Sequence, residues 1–243
     1  MIERTVEIPT RDGTTTTFVV HPERGGPHPV VLFFMDAPAI REELRDMARR
    51  LATCGYYVML PNLYYRSGVL ELGAEDLADP ERKRMFALMN SIDIPKVMSD
   101  ADALFDYADA DPAASDGQAG CLGYCMSGQY AINAAARYPA RIGAAASIYG
   151  TQLVTDKADS PHIVASKASA ELYFACAETD RWAPPETVEA LDAALKTGEV
   201  NAEVELYPGT QHGFAFPQRA VYDKAAAERH WERLIALYRR NLG

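Results

Sequence analysis

Two uninterrupted apolar runs on either side of one amphipathic segment constrain this chain more than any other feature. Val30–Met35 is wholly apolar and of strand length, the pattern of a strand buried on both faces. From Pro38 to Thr53 the residues Ile40, Leu44, Met47, Ala48 and Leu51 recur at helical spacing, and Gly55 follows as the C-cap. Tyr56–Leu60 is the second apolar run. Strand, helix and strand in this order make a βαβ unit, which commits the chain to a parallel sheet with right-handed crossovers.

The flanking sequence extends that pattern. Thr5–Pro9, a turn at Arg11-Asp12-Gly13 and the Thr-rich run Thr14–Val20 read as an antiparallel hairpin. Asn62–Asp79 has no clear period and reads as a long loop, followed by helices over Pro80–Asn90 and Pro95–Ala108. Strands are then expected at Gln118–Gly123, Ile142–Tyr149, Leu172–Ala177 and Ala202–Tyr207. Helices are expected at Gly128–Tyr138, Pro184–Lys196 and Ala220–Arg240. This alternation predicts a single α/β domain over residues 1–243, a doubly wound, mostly parallel sheet with helices on both faces.

Composition narrows the functional classes. A net charge of -10, with no Lys/Arg-rich run, argues against a nucleic-acid partner. No apolar stretch is long enough to cross a bilayer, and the start Met1-Ile2-Glu3-Arg4 lacks the pattern of an export signal, so a soluble, cytoplasmic protein is expected. The four cysteines, Cys54, Cys121, Cys125 and Cys176, form neither a C-x-x-C pair nor a zinc-like cluster with histidine. Reduced thiols are expected, one of them available for chemistry.

Gly123-Tyr124-Cys125-Met126-Ser127-Gly128 lies between an expected strand and an expected helix. It reads as a nucleophile elbow, the sharp turn of the G-x-S-x-G pattern, with cysteine for serine and Ser127 where glycine is usual. Such a turn strains the backbone of the nucleophile and needs small residues around it. A helix starting at Met126 would turn its positive end toward Cys125 and favour thiolate, and the Met126 N–H is suited to hold an oxyanion. The plainer alternative is that Cys125 is a small buried apolar residue beside a glycine turn.

What favours chemistry is the order of residues downstream. Asp180 follows the strand Leu172–Ala177, and His212 follows Ala202–Tyr207, so nucleophile, acid and histidine occur in the order this elbow uses. Both sit at carboxyl ends of strands, where open α/β sheets place their sites. Glu178 competes with Asp180 for the acid's role. His21, His28 and His230 read as structural or exposed, and His162 as a loop residue.

With Cys125, Asp180 and His212 in this order, the chain resembles the dienelactone hydrolase family of α/β-hydrolases. Phe34-Met35-Asp36-Ala37, Tyr56–Pro61 with Asn62-Leu63-Tyr64, and His212-Gly213-Phe214 support the resemblance. It implies that Asp36, one methylene shorter than the family's glutamate, contacts the resting thiol and deprotonates it as part of activation. It also implies that the Ala37 N–H completes the oxyanion hole with Met126. Family members acting on dienelactone hold its carboxylate with two arginines. Arg82 or Arg84 matches the first; Phe214-Ala215-Phe216 stands in place of the second, the next arginine being Arg219. A pocket for a neutral or aromatic ester, lined by residues such as Phe86 and Phe216, is therefore expected.

The expected activity is hydrolysis of a small carboxylic ester or lactone through a thioester on Cys125, with no metal or organic cofactor, in a monomer or homodimer. A cysteine-dependent acyltransferase or peptidase on the same scaffold, and a non-catalytic thiol redox sensor, are the alternatives.

Overall fold

The computed structural model describes residues 1–72 and 79–243, in two compact units, 1–119 and 120–243. The first opens with the expected hairpin: β1 (Ile2–Thr10) pairs antiparallel with β2 (Gly13–His21), closed by the Thr10 and Gly13 pair. β3 (Val30–Phe34) is entirely buried and runs parallel to β4 (Tyr57–Pro61), which pairs antiparallel with β2. Between β3 and β4, α1 (Glu42–Thr53) lays Leu44, Met47, Ala48 and Leu51 into the core.

α1 starts four residues later than its apolar spacing suggests. Ala39 has φ +71, a left-handed conformation that interrupts any helix there, and Arg41 is extended. At the other end Cys54 is the C-cap and Gly55, at φ +105, takes the turn beyond it.

Part of the loop expected over Asn62–Asp79, residues 73–78, lies outside the described residues. The described part holds a 3-10 turn at Tyr65–Ser67 and a bridge from Glu71 back to Ala39. α2 (Asp79–Ser91) and α3 (Ile94–Asp109) follow, the latter capped by Asp93, whose carboxylate accepts the Lys96 N–H at 2.9 Å.

In the second unit the strand order is β5 (Ala119–Tyr124), β6 (Ile142–Ile148), β7 (Glu171–Thr179), β8 (Ala202–Gln211). The β6–β7 and β7–β8 pairs are parallel. α4 (Gly128–Arg137) connects β5 to β6, the short α5 (Pro161–Val164) precedes β7, and α6 (Pro185–Thr197) connects β7 to β8. The closing helix, α7 (Lys224–Asn241), buries Trp231, Leu234 and Tyr238. It starts four residues later than expected, where Asp223 accepts the Ala226 N–H at 2.9 Å. Tyr238 donates its hydroxyl hydrogen to the Cys121 carbonyl at 2.9 Å, tying α7 to β5.

Among the described residues no helix is long and apolar enough to cross a membrane.

Candidate active site

Cys125 stands at the end of β5 with φ +55, a conformation that costs a residue bearing a Cβ about 1–3 kcal/mol and persists only where the surroundings impose it. The surroundings are the glycines. A methyl group on Gly123 would lie 2.0 Å from the Ser127 carbonyl oxygen, and one on Gly128 would lie 2.3 Å from Ser147 Oγ and 2.6 Å from Gly150 Cα. The sharp turn expected at this sextet is present. Its first turn, Cys125–Ser127, is 3-10 rather than α, and α4 begins only at Gly128.

The Cys125 carbonyl accepts the Thr151 N–H at 3.0 Å. In a planar trans peptide the carbonyl and the following N–H point in opposite directions, so this bond fixes the aim of the Met126 N–H.

The thiols differ in setting. Cys121 and Cys176 are buried, and burial pushes both above the ordinary range, Cys176 to about 12. Cys125 is partly exposed.

Asp180 and His212 meet: His212 Nδ1 and Asp180 Oδ2 are 2.7 Å apart, and Asp180 Oδ1 accepts the Trp182 N–H at 2.8 Å. The competing Glu178 is exposed and turned elsewhere, its Oε2 accepting the Gly209 N–H at 2.8 Å. His212 Nε2 is buried and makes no hydrogen bond of regular geometry. Burial alone lowers the imidazole's pKa. It is the largest single influence, but the neighbouring Cys125 and Asp180, by charge and hydrogen bonding together, outweigh it and raise the pKa from 6.5 to about 9.

Tyr149 went unnoticed in the sequence. It sits just beyond β6 with φ +36, its ring edge-on to His212 at 5.1 Å between centroids. The signal available was position, at the carboxyl end of a parallel strand.

Phe216 has no exposed surface; its ring packs against Tyr124 at 5.3 Å and Tyr149 at 6.1 Å, so it is core rather than an open pocket wall. Arg219 turns back toward the histidine: its guanidinium lies over Phe216 at 4.6 Å, and its Nη1 is 2.7 Å from where a Cβ on Gly213 would be. The stretch after His212 thus brings a cation back onto Gly213. His230 is buried in α7, 2.9 Å from the Tyr124 hydroxyl, and His162 Nδ1 is 2.8 Å from Ser160 Oγ. His21 stacks on Tyr57 at 5.2 Å and His28 is buried, as structural histidines would be.

In the first unit, Asp36 is fully buried and its carboxylate is gripped by Arg41, Nη1 at 2.6 Å and Nη2 at 3.2 Å. Arg41 also holds Glu43, at 2.9 Å. The Ala39 N–H donates to the Asp36 carbonyl at 3.1 Å, and Tyr64 donates its hydroxyl hydrogen to the Ala37 carbonyl at 2.9 Å. Arg82 and Arg84 are exposed on α2, and Phe86 is half-buried.

The profile of the dienelactone hydrolase family matches residues 15–242. The chain belongs to the dienelactone hydrolase family. A protein named "Putative carboxymethylenebutenolidase" in Methylorubrum extorquens is 28% identical over 98% of this chain and 81% of its own length. One of the same name in Synechocystis is 28% identical over 98% of this chain and 96% of its own. Among solved structures, a "Putative Dienelactone Hydrolase" from Klebsiella pneumoniae superposes with a TM-score of 0.87 at 26% identity, covering 98% of both chains. A dienelactone hydrolase from Anabaena variabilis gives 0.70 at 16% identity over 100% of this chain and 99% of its own. The fold is that of an α/β-hydrolase, a mostly parallel sheet with an antiparallel N-terminal hairpin, and this family member is a dienelactone hydrolase-like hydrolase.

Proposed function

We propose that this hydrolase cleaves a small carboxylic ester or lactone through a thioester on Cys125, with His212 as acid and base and Asp180 orienting it. The observation that carries the reading is geometric: Cys125 is held at φ +55 on the sharp turn after β5, and Asp180 and His212 meet at 2.7 Å at the carboxyl ends of β7 and β8. The raised pKa of His212, to which Cys125 and Asp180 both contribute, agrees with it. A thiolate beside an imidazolium is the resting state of an activated cysteine nucleophile.

In the first half-reaction the thiolate attacks the carbonyl carbon, forming the C–S bond, and the oxyanion is held by the Met126 N–H. The family resemblance adds the Ala37 N–H as second donor. Collapse breaks the bond to the leaving oxygen, which takes the proton from His212. The resulting thioester sulfur carries no charge, so the largest influence raising the imidazole's pKa is gone. The neutral imidazole then accepts a proton from water as the water attacks the thioester. Collapse expels the thiolate and the carboxylic acid, restoring the ion pair.

Asp36, whose carboxylate is gripped by Arg41, is proposed for the part the family resemblance gives it, contact with the resting thiol and its deprotonation on activation. Arg82 and Phe86 are proposed as substrate contacts on α2.

A second reading concerns the substrate. The return of Arg219 to Gly213, beside His212, favours an ester or lactone bearing its own carboxylate over a neutral one. A panel of activated esters and lactones, matched in size and differing in charge, tests both. The thioester reading predicts hydrolysis by the wild type and none by Cys125→Ala; full turnover by that variant would refute it. Preference for anionic members, lost in Arg219→Met, would select the second reading.

A further inference from the structure

His212 is held at one nitrogen only by a regular hydrogen bond, the 2.7 Å contact from Nδ1 to Asp180. A single hydrogen bond restrains the distance of that nitrogen from the carboxylate but leaves the side-chain torsions, and with them the tilt of the ring, some freedom. The ring of Tyr149 supplies the missing restraint. It meets the imidazole at 62° and 5.1 Å, and is itself wedged between Tyr124 at 5.7 Å and Phe214 at 5.2 Å. Its backbone is fixed too, the Tyr149 N–H donating to the Ala175 carbonyl on β7 at 2.7 Å.

The next two residues act on the nucleophile. Gly150 packs so closely on the first turn of α4 that a methyl on it would lie 3.2 Å from Gly128 Cα and 2.2 Å from Ser147 Oγ. The Thr151 N–H then reaches the Cys125 carbonyl at 3.0 Å. Within three consecutive residues the chain thus touches both partners of the reaction: Tyr149 meets the imidazole and Thr151 the peptide plane that follows the sulfur. A shift of this segment would move both together.

We propose that Tyr149 is a positioning residue for His212, and that the segment Tyr149–Thr151 is a brace keeping the imidazole and the Cys125–Met126 peptide in one fixed relation. This rests on Cys125 and His212 being the nucleophile and the base. The contact is made by the ring and not by the hydroxyl, so Tyr149→Phe should preserve it and Tyr149→Leu should not.

The experiment measures kcat and KM for an activated ester, the rate of Cys125 alkylation by iodoacetamide, and the melting temperature, in the wild type and both variants. In Tyr149→Leu, kcat should fall by about ten- to a hundredfold with KM changed less than about twofold, the size expected when reacting groups are slightly misplaced. Alkylation should slow in the same variant, and Tyr149→Phe should restore both. A folded Tyr149→Leu with wild-type kcat and alkylation rate overturns the proposal, as does an equal loss in Tyr149→Phe. Should Tyr149→Leu not fold, nuclear Overhauser contacts between the Tyr149 ring and the His212 imidazole in the wild type decide the matter, their absence overturning it. Alkylation needs no ester chemistry, so a wild type that alkylates in this pattern but hydrolyses no ester would sink the proposed function and leave the brace standing.

Discussion

Thr179 and Gln211 face each other across the last paired position of β7 and β8, and the next residue on each strand is half of the carboxylate–imidazole pair. The pairing slips just before this point. Ala177 faces Tyr207, so one residue of β7 is opposed by Pro208, Gly209 and Thr210 of β8. Without that bulge the register would set Asp180 opposite another residue. Gly209, at φ +75, makes the turn, and the exposed Glu178 secures it by accepting the Gly209 N–H.

The two neighbouring carboxylates should therefore separate in a mutational test. Asp180→Asn should lower kcat by roughly 10²- to 10⁴-fold, since the amide neither stabilises the imidazolium nor selects the neutral tautomer that takes the proton from water. Glu178→Gln should keep activity within a few-fold and lower stability by about 1 kcal/mol or less. Steady-state kinetics with urea unfolding checks both.

At the elbow, Gly123→Ala should destabilise the fold by on the order of 3 kcal/mol or more, because the added methyl meets backbone atoms that cannot move without opening the turn. Gly209→Ala provides the contrast. Nothing lies within 4 Å of its would-be methyl, so only the strain of φ +75 remains, about 1 kcal/mol. Denaturant unfolding of the two variants should differ in that order.

The titration of His212 carries a sign. Its folded pKa, about 9, lies above the ordinary 6.5, so its contribution to stability is complete below pH 6.5 and is lost as pH rises through 9. Removing the sulfur's charge in Cys125→Ala should lower the pKa toward the ordinary value, leaving the influence of Asp180. Imidazole chemical shifts followed against pH in both proteins measure this directly; an unchanged midpoint would contradict the ion pair.

Arg41→Met should cost roughly 3–5 kcal/mol, since it withdraws a guanidinium from two buried carboxylates, Asp36 and Glu43. Urea and thermal unfolding of the variant beside the wild type check it.

Much of this was readable from residue order. β3 and β4 announced themselves as apolar runs and the hairpin by its turn and β-branched residues, and the elbow with its downstream Asp180 and His212 carried the family resemblance. What escaped had local causes. β7 and β8 run on past Ala177 and Tyr207 because Pro208-Gly209-Thr210 looks like a chain reversal, whereas it is a bulge within pairing. α1 begins late because Ala39 adopts a positive φ that alanine rarely signals. Arg219 was discounted by its distance along the chain, but successive turns, Phe216 carbonyl to Arg219 N–H and Arg219 carbonyl to Tyr222 N–H, fold it back on Gly213. Tyr149 was invisible because one tyrosine after an apolar strand has no pattern to distinguish it.

The central claim is a covalent bond to one sulfur. Rapid quenching of the protein with a p-nitrophenyl ester, followed by intact-mass and peptide analysis, should find one acyl group per chain, on Cys125, accumulating faster in His212→Ala than it is hydrolysed. An ester turned over with no acyl group ever detectable on Cys125, and at an unchanged rate in Cys125→Ala, would contradict the account.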